Sequence, residues 1–222
     1  MLGGVERRLA WGAVLWLLRP AYVVLELVVA AATTGDYRLD RDTVSDLGAL
    51  TCAPRFCSPW HDLMNVTFVG TGLLLALGAL LLAPRLGQVV TALLVVAGLS
   101  SVATGLAPVD QSSGLHFLAA APLFVCQPAS LLLLGARLRA EHPRLAAALL
   151  ATGAVTSVAA VGFVLGAPVP GVLERLALWP VLVALAAVAV VLVLARRPGG
   201  TTSGRPRRSA GRADVRRRPS PR

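Results

Sequence analysis

Of 222 residues, 56% are apolar and only 14% charged, and the mean hydropathy is +0.72. Soluble domains carry about 25% charged residues, so this composition excludes one and calls for a lipid environment. The formal charge of +10 does not point to nucleic acid, because the basic residues, all of them Arg, sit in the tail after Ala195 or beside apolar runs, where topology signals lie.

The first apolar run is Leu9 to Thr33, preceded by Arg7 and Arg8 as residues 1–8 of a cytoplasmic N-terminus. About 20 apolar residues cross the hydrocarbon core, so this run suffices. Ala30-Ala31-Ala32 resembles a signal-peptidase site, but a cleaved apolar region is shorter and would not carry Arg19 and Glu26. An uncleaved helix is expected, kinked at Arg19-Pro20 where proline removes a backbone donor.

Residues 34–60 form the longest loop, with Asp36, Arg38, Asp40, Arg41, Asp42, Asp46 and Arg55. Asp42 suits an N-cap and Gly48 a C′ position, which predicts a short helix over Thr43 to Leu47 on the membrane surface. Ser58-Pro59 reads as N-cap and N1 of the next helix, with Asp62 in its first turn, favourable to the helix dipole.

The second span is expected from His61 to Ala83, followed by a tight connection at Pro84-Arg85. The third runs from Leu86 to Ala107 and the fourth from Gly114 to Ala136, with Pro122 and Pro128 inside it. The fifth, Leu145 to Gly166, holds the pairs Gly153/Ser157 and Gly162/Gly166, a spacing of small residues that lets helices approach closely. The sixth runs from Val172 to Ala195. The fold class is thus all-α: a multi-pass cell-membrane protein with a six-helix domain over residues 9–195. The tail, 196–222, is Arg-, Pro-, Gly- and Ser-rich, which predicts a disordered cytoplasmic segment able to touch anionic lipid.

Arg placement sets the orientation. With the N-terminus inside, the N-terminal segment and inner loops hold Arg7, Arg8, Arg85, Arg137, Arg139 and Arg144, against Arg38, Arg41 and Arg55 outside. Cys52 and Cys57 then lie in an oxidising compartment, and their spacing favours a disulfide over a metal site that lacks partners. Cys126, inside the fourth span, reads as a small apolar residue.

The same orientation gathers polar side chains on the outer face: Asp42, Ser45 and Asp46 after the first span, His61, Asp62 and Asn65 opening the second, Asp110 closing the third and His116 one turn into the fourth. Two readings stand side by side. In one these residues cap helices or bond to loops, Asp110 serving the fourth helix. In the other they form a site, because ionisable groups at a membrane edge are costly unless paired. Asp46, His61, Asp110 and His116 are then the candidate catalytic groups, His61, Asp110 and His116 the candidate ligands of a metal such as zinc, and Asp42, Ser45, Asp46, Asn65, Glu26 and Arg19 the candidate ligand-binding residues. Arg19 and Glu26 share a helical face but stand about 10.5 Å apart along the axis, too far to pair directly. No nucleotide loop, Gly-x-Ser-x-Gly elbow, His-Glu-x-x-His or paired Cys-x-x-Cys occurs.

The segment DRDTVSDLG at Asp40 to Gly48, followed by HDLMNVTFVGTGLLL and by APVD with His116 six residues beyond Asp110, resembles a bacterial and archaeal membrane family, domain of unknown function 998. The resemblance spans Trp11 to Ala195 and rests chiefly on Thr43 to Gly48 with Asn65 to Leu75. It implies a six-span protein without an assigned reaction and carries no catalytic residue over. Three functions follow as expectations. The first is a non-enzymatic lipid- or small-molecule-binding, sensing or accessory protein with an outer polar pocket. The second is a membrane-embedded, metal-assisted hydrolase of an amphipathic substrate. The third, transport, is disfavoured by the lack of an inverted repeat and by few interior charges.

Overall fold

The computed structural model describes residues 2–194; the expected Arg-rich tail at 196–222 lies outside them. The first apolar run folds as two helices, α1 (Leu2–Leu18) and α2 (Ala21–Ala32), that together make one membrane-crossing unit. The kink expected at Arg19-Pro20 is a full break. Pro20 has no N–H to give, and the chain passes through tight turns in which the amides of Arg19 and Tyr22 bond to the carbonyls of Trp16 and Arg19. The helix also begins earlier than Leu9, at Leu2.

The other spans are α3 (His61–Leu86), α4 (Gln88–Leu106), α5 (Ser113–Leu138), α6 (Pro143–Val164) and α7 (Pro170–Leu194). All six membrane-crossing units are long and apolar enough to span a bilayer. The connection between the second and third spans is not at Pro84-Arg85, which lie inside α3; it is the single residue Gly87, at φ +79. Only glycine takes that conformation without strain, which explains why the reversal waits for it.

Consecutive spans pack side by side, and α1 also packs on α7, so the six units close into a ring in sequence order. Its interior holds Trp16, Leu75, Leu94, Leu131, Leu149 and Leu185, all fully buried. Leu77, Leu118, Val158 and Val183 face outward, as a lipid-facing surface requires. Small residues set the closest approaches. A Cβ on Gly72 would sit 2.4 Å from the Gly98 carbonyl oxygen, and one on Gly98 would sit 2.6 Å from that of Gly72, so α3 and α4 touch backbone to backbone. Of the two pairs expected in the fifth span, Gly153 does meet Leu132 closely; Gly162 has ordinary contacts, and Gly166 faces open space at φ +73 after the end of α6.

Loop 33–60 returns on itself through a two-stranded ladder, β1 (Thr34–Gly35) with β2 (Phe56–Cys57), antiparallel with Thr34 opposite Cys57. Cys52 and Cys57 form the expected disulfide, and Cys126 is a free, half-buried thiol.

Candidate functional site

At the centre of the loop, Ser45–Gly48 forms a turn of 3-10 helix. Its start is not capped by Asp42. Instead Thr43 and Asp46 cap one another: the Thr43 amide donates to Asp46 Oδ2 (2.8 Å) and the Asp46 amide to Thr43 Oγ1 (3.1 Å). Gly48 is not a left-handed C′ residue. It is buried, and a Cβ there would stand 2.4 Å from Asn65 Oδ1, whose amide donates to the Gly48 carbonyl at 2.8 Å.

The other outer residues also have internal partners. Asp42 accepts from the Arg38 amide (2.7 Å) and from Arg55 Nη2 at both oxygens (3.0 Å). Ser58 is not an N-cap; its hydroxyl donates to the Leu47 carbonyl, and Trp60 precedes α3 with no side-chain cap. His61 Nδ1 donates to the Ser58 carbonyl, while Asp62, in the first turn, has an 89% exposed side chain. Asp110 does not cap α5, which Ser112 does through the Leu115 amide. Its carboxylate receives the amides of Leu50 and Thr51 and the Thr51 hydroxyl, tying the loop to the α4–α5 turn. Burial works to raise its pKa, and these bonds, with one from Gln111, outweigh that and hold it below the ordinary aspartate value. Asp40 is lowered chiefly by its hydrogen bond from Arg38.

Thus His61, Asp110 and His116 are not drawn together; each holds a different piece of loop. Among the described residues no three His, Cys, Asp or Glu side chains are grouped as metal ligands.

What the fold does assemble lies deeper and includes two residues of α7, Glu174 and Arg175. Glu26 is fully buried and pairs with Arg175, Nε to Oε1 at 2.8 Å, while its other oxygen accepts from Trp179 Nε1 at 2.7 Å. The rest of the Arg175 fork clasps the loop: Nη1 donates to the carbonyls of Leu39, Asp42 and Gly171, and Nη2 to the Tyr37 hydroxyl. Burial pushes the Tyr37 hydroxyl above its usual range despite that guanidinium. Glu174, also buried, accepts the Val44 amide at 2.5 Å and meets the Ser45 hydroxyl at 3.0 Å. Ser45 Oγ in turn lies 2.9 Å from His116 Nε2, and His116 Nδ1 is 2.7 Å from the Ala107 carbonyl. Sequence reading found Ser45 and His116 but not Glu174 and Arg175; the signal was the adjacent pair of opposite charges at the start of the sixth span, a rarity that itself marks a candidate. The interior therefore holds more charge than expected.

The ring of apolar helices and the buried charges beneath the loop define a six-span helical membrane protein. A family model, Protein of unknown function (DUF998), matches residues 4–191, and the chain belongs to that family. No curated protein and no solved structure matches the chain.

Proposed function

We propose that this is a non-enzymatic sensing or accessory protein of the membrane whose outer loop docks on a proton-sharing relay. The observation that supports it is the Ser45 hydroxyl standing between His116 and Glu174. A carbonyl only accepts, so the bond to Ala107 requires His116 Nδ1–H. The two remaining links then need two hydrogens, one supplied by Ser45.

Two arrangements share that count. In one, protonated Glu174 donates to Oγ, and Ser45 donates to neutral Nε2. In the other, Ser45 donates to the Glu174 carboxylate, and cationic Nε2–H donates to Oγ. Passing from the first to the second moves one proton from Glu174 to Oγ and one from Oγ to Nε2. An added proton leaves the Ser45 hydroxyl hydrogen without an acceptor, and a removed one leaves a link without hydrogen. Docking is therefore strongest at intermediate pH and falls on both sides. The charged or titratable neighbours of Glu174 include Arg175, Glu26, Tyr22 and Tyr37.

Thermal melts of the full chain in mild detergent across pH test this. The wild type should give a bell, and Glu174→Gln, whose amide donates to Oγ as a protonated acid does and still accepts from Val44, should lose the fall on the alkaline side and keep the one on the acid side. Identical profiles would overturn the reading.

A second reading rests on the 2.9 Å contact of Ser45 Oγ with His116 Nε2, a nucleophile–base pair with the histidine tautomer fixed by a backbone carbonyl. In this hydrolase, Ser45 Oγ attacks the carbonyl of an ester of an amphipathic lipid, its proton passes through His116 Nε2 to the departing alcohol, and water then hydrolyses the acyl-enzyme. Zinc would have to take His116 at Nε2 in place of Ser45 Oγ, with the Nδ1–H bond to the Ala107 carbonyl kept. A fluorophosphonate that labels Ser45 in the wild type but not in His116→Ala would favour the hydrolase; no labelling favours the accessory protein.

A further inference from the structure

We infer that Arg19 anchors a monatomic anion inside the helix ring. Arg19 lies in the turn between α1 and Pro20, and it is 1% exposed. Its Nε and Nη1 are buried without a hydrogen-bond partner, and none of the ion pairs among the described residues includes it. Glu26, the nearest acid in its own span, makes no ion pair with Arg19 and is engaged instead by Arg175 and Trp179. A guanidinium stays protonated, so it cannot escape the cost of burial by losing its charge, as a carboxylate can. Such a group calls for a counter-charge.

The space for one is present. Arg19 lines a cavity of about 20 Å³ together with Tyr22, Phe68, Thr71, Ser101 and Gln127. The Tyr22 hydroxyl is a second buried donor with no hydrogen-bond partner. The Ser101 hydrogen is already given to the Phe68 carbonyl, so the Tyr22 and Thr71 hydroxyls and the Gln127 amide are the neutral donors that line the cavity beside Arg19.

Size decides the ligand. A single water needs a cavity of about 10–15 Å³. The cavity therefore admits one water or one small monatomic ion and is too small for a phosphate or a lipid headgroup. The unpaired cation selects the anion over water, and the ligand is a halide such as chloride.

The test uses the full chain purified in uncharged detergent with gluconate as the sole anion. Replacing gluconate by chloride or bromide at constant ionic strength should raise Tm saturably, and the ³⁵Cl resonance should broaden and be narrowed again by bromide. Arg19→Gln should be insensitive to the choice of anion. Tyr22→Phe, which removes one donor, should shift the halide midpoint upward several-fold. If Arg19→Gln does not fold, the wild-type and Tyr22→Phe titrations decide. Equal Tm in gluconate and halide with no ³⁵Cl broadening would mean a water-filled cavity and overturn the proposal, as would an unchanged halide response in a folded Arg19→Gln protein or an unshifted midpoint in Tyr22→Phe.

Discussion

Arg175 on the last span donates to Glu26 on the first at 2.8 Å, with both side chains buried, and the same guanidinium holds the carbonyls of Leu39 and Asp42. One residue therefore joins the two ends of the ring and pins the outer loop to the seam. Breaking a buried pair by removing one partner costs about 3–5 kcal/mol, because the other charge is left alone. Arg175→Met should fall in that range in detergent unfolding and expose the loop to proteolysis at Arg38 and Arg41. Glu26→Gln, which keeps an acceptor for Arg175 or Trp179, should cost less and leave the loop in place. Equal losses in both would show that the loop contacts of Arg175 contribute nothing.

The Gly72–Gly98 contact gives a sharper steric test. A methyl at Gly72 meets a backbone oxygen at 2.4 Å, which cannot swing aside as a side chain tip can. Gly72→Ala should lower stability by about 1–3 kcal/mol. Gly70, two residues earlier on the same helix, has nothing within 4 Å of its Cβ position. Gly70→Ala should be neutral or raise stability by about 0.5–1 kcal/mol through helix propensity. Chemical unfolding of the two variants beside the wild type measures both, and a Gly72→Ala protein as stable as Gly70→Ala would refute the backbone contact.

The six spans were legible because a bilayer demands long apolar helices, a constraint every residue of a span reports. The Cys52–Cys57 bridge was legible from spacing and side. Helix starts were read less well. Ser58 and Asp42 have cap chemistry, but their oxygens serve the Leu47 carbonyl and Arg55, partners that only the folded loop brings near. The Pro84-Arg85 turn failed for a related reason: a proline near a helix end is tolerated, whereas the reversal needed the positive φ of Gly87. The grouping of the outer residues depends on Glu174 and Arg175, which lie about 130 residues beyond the loop they hold and outside any local pattern.

Asp110 supplies a pH-dependent tie. Its folded-state pKa is lowered, so the stability it contributes is present above the ordinary aspartate pKa of about 4 and is lost as pH falls through the folded value. Acid should release residues 49–51 from the α4–α5 turn. Hydrogen exchange at the Leu50 and Thr51 amides, corrected for intrinsic rates, should quicken on acidification in the wild type and be fast at all pH values in Asp110→Ala. Protection at these amides that does not change on acidification would place the anchor elsewhere.

Asp46 and Asp62 carry the same charge in different roles. Asp46 closes a reciprocal cap with Thr43, whereas the Asp62 side chain is 89% exposed. Asp46→Ala should cost about 1 kcal/mol, the usual loss of a cap, and Asp46→Asn only a few tenths, because the amide oxygen still accepts from Thr43. Asp62→Asn should be silent. The double change Thr43→Ala/Asp46→Ala should cost less than the sum of the singles, since either one opens the box. Strict additivity in urea or thermal unfolding would separate the two residues.

Orientation follows from charge once the ends of the ring are known. Asp110 bonds to Leu50 and Thr51, and Val172 to Asp40, so loops 33–60, 107–112 and 165–169 share one face. Arg8 donates to the Leu80 carbonyl and Arg137 to that of Leu86, which puts the first helix start and the Gly87 turn at the other. On the loop face Arg38, Arg41 and Arg55 are all engaged by Asp36, Asp40 or Asp42. The opposite end carries Arg7, Arg8, Arg85, Arg137, Arg139 and Arg144, and Arg near span ends favours the cytoplasm. Reporter fusions after Arg85 and Arg139 should therefore read cytoplasmic, and fusions after Arg41 and Ser112 external. Alkylation of intact cells without reductant should leave Cys52 and Cys57 unmodified, since the external side is where their bridge persists. An external reporter at Arg139, or a cytoplasmic one at Ser112, would invert the protein and place the Ser45 relay on the inner face.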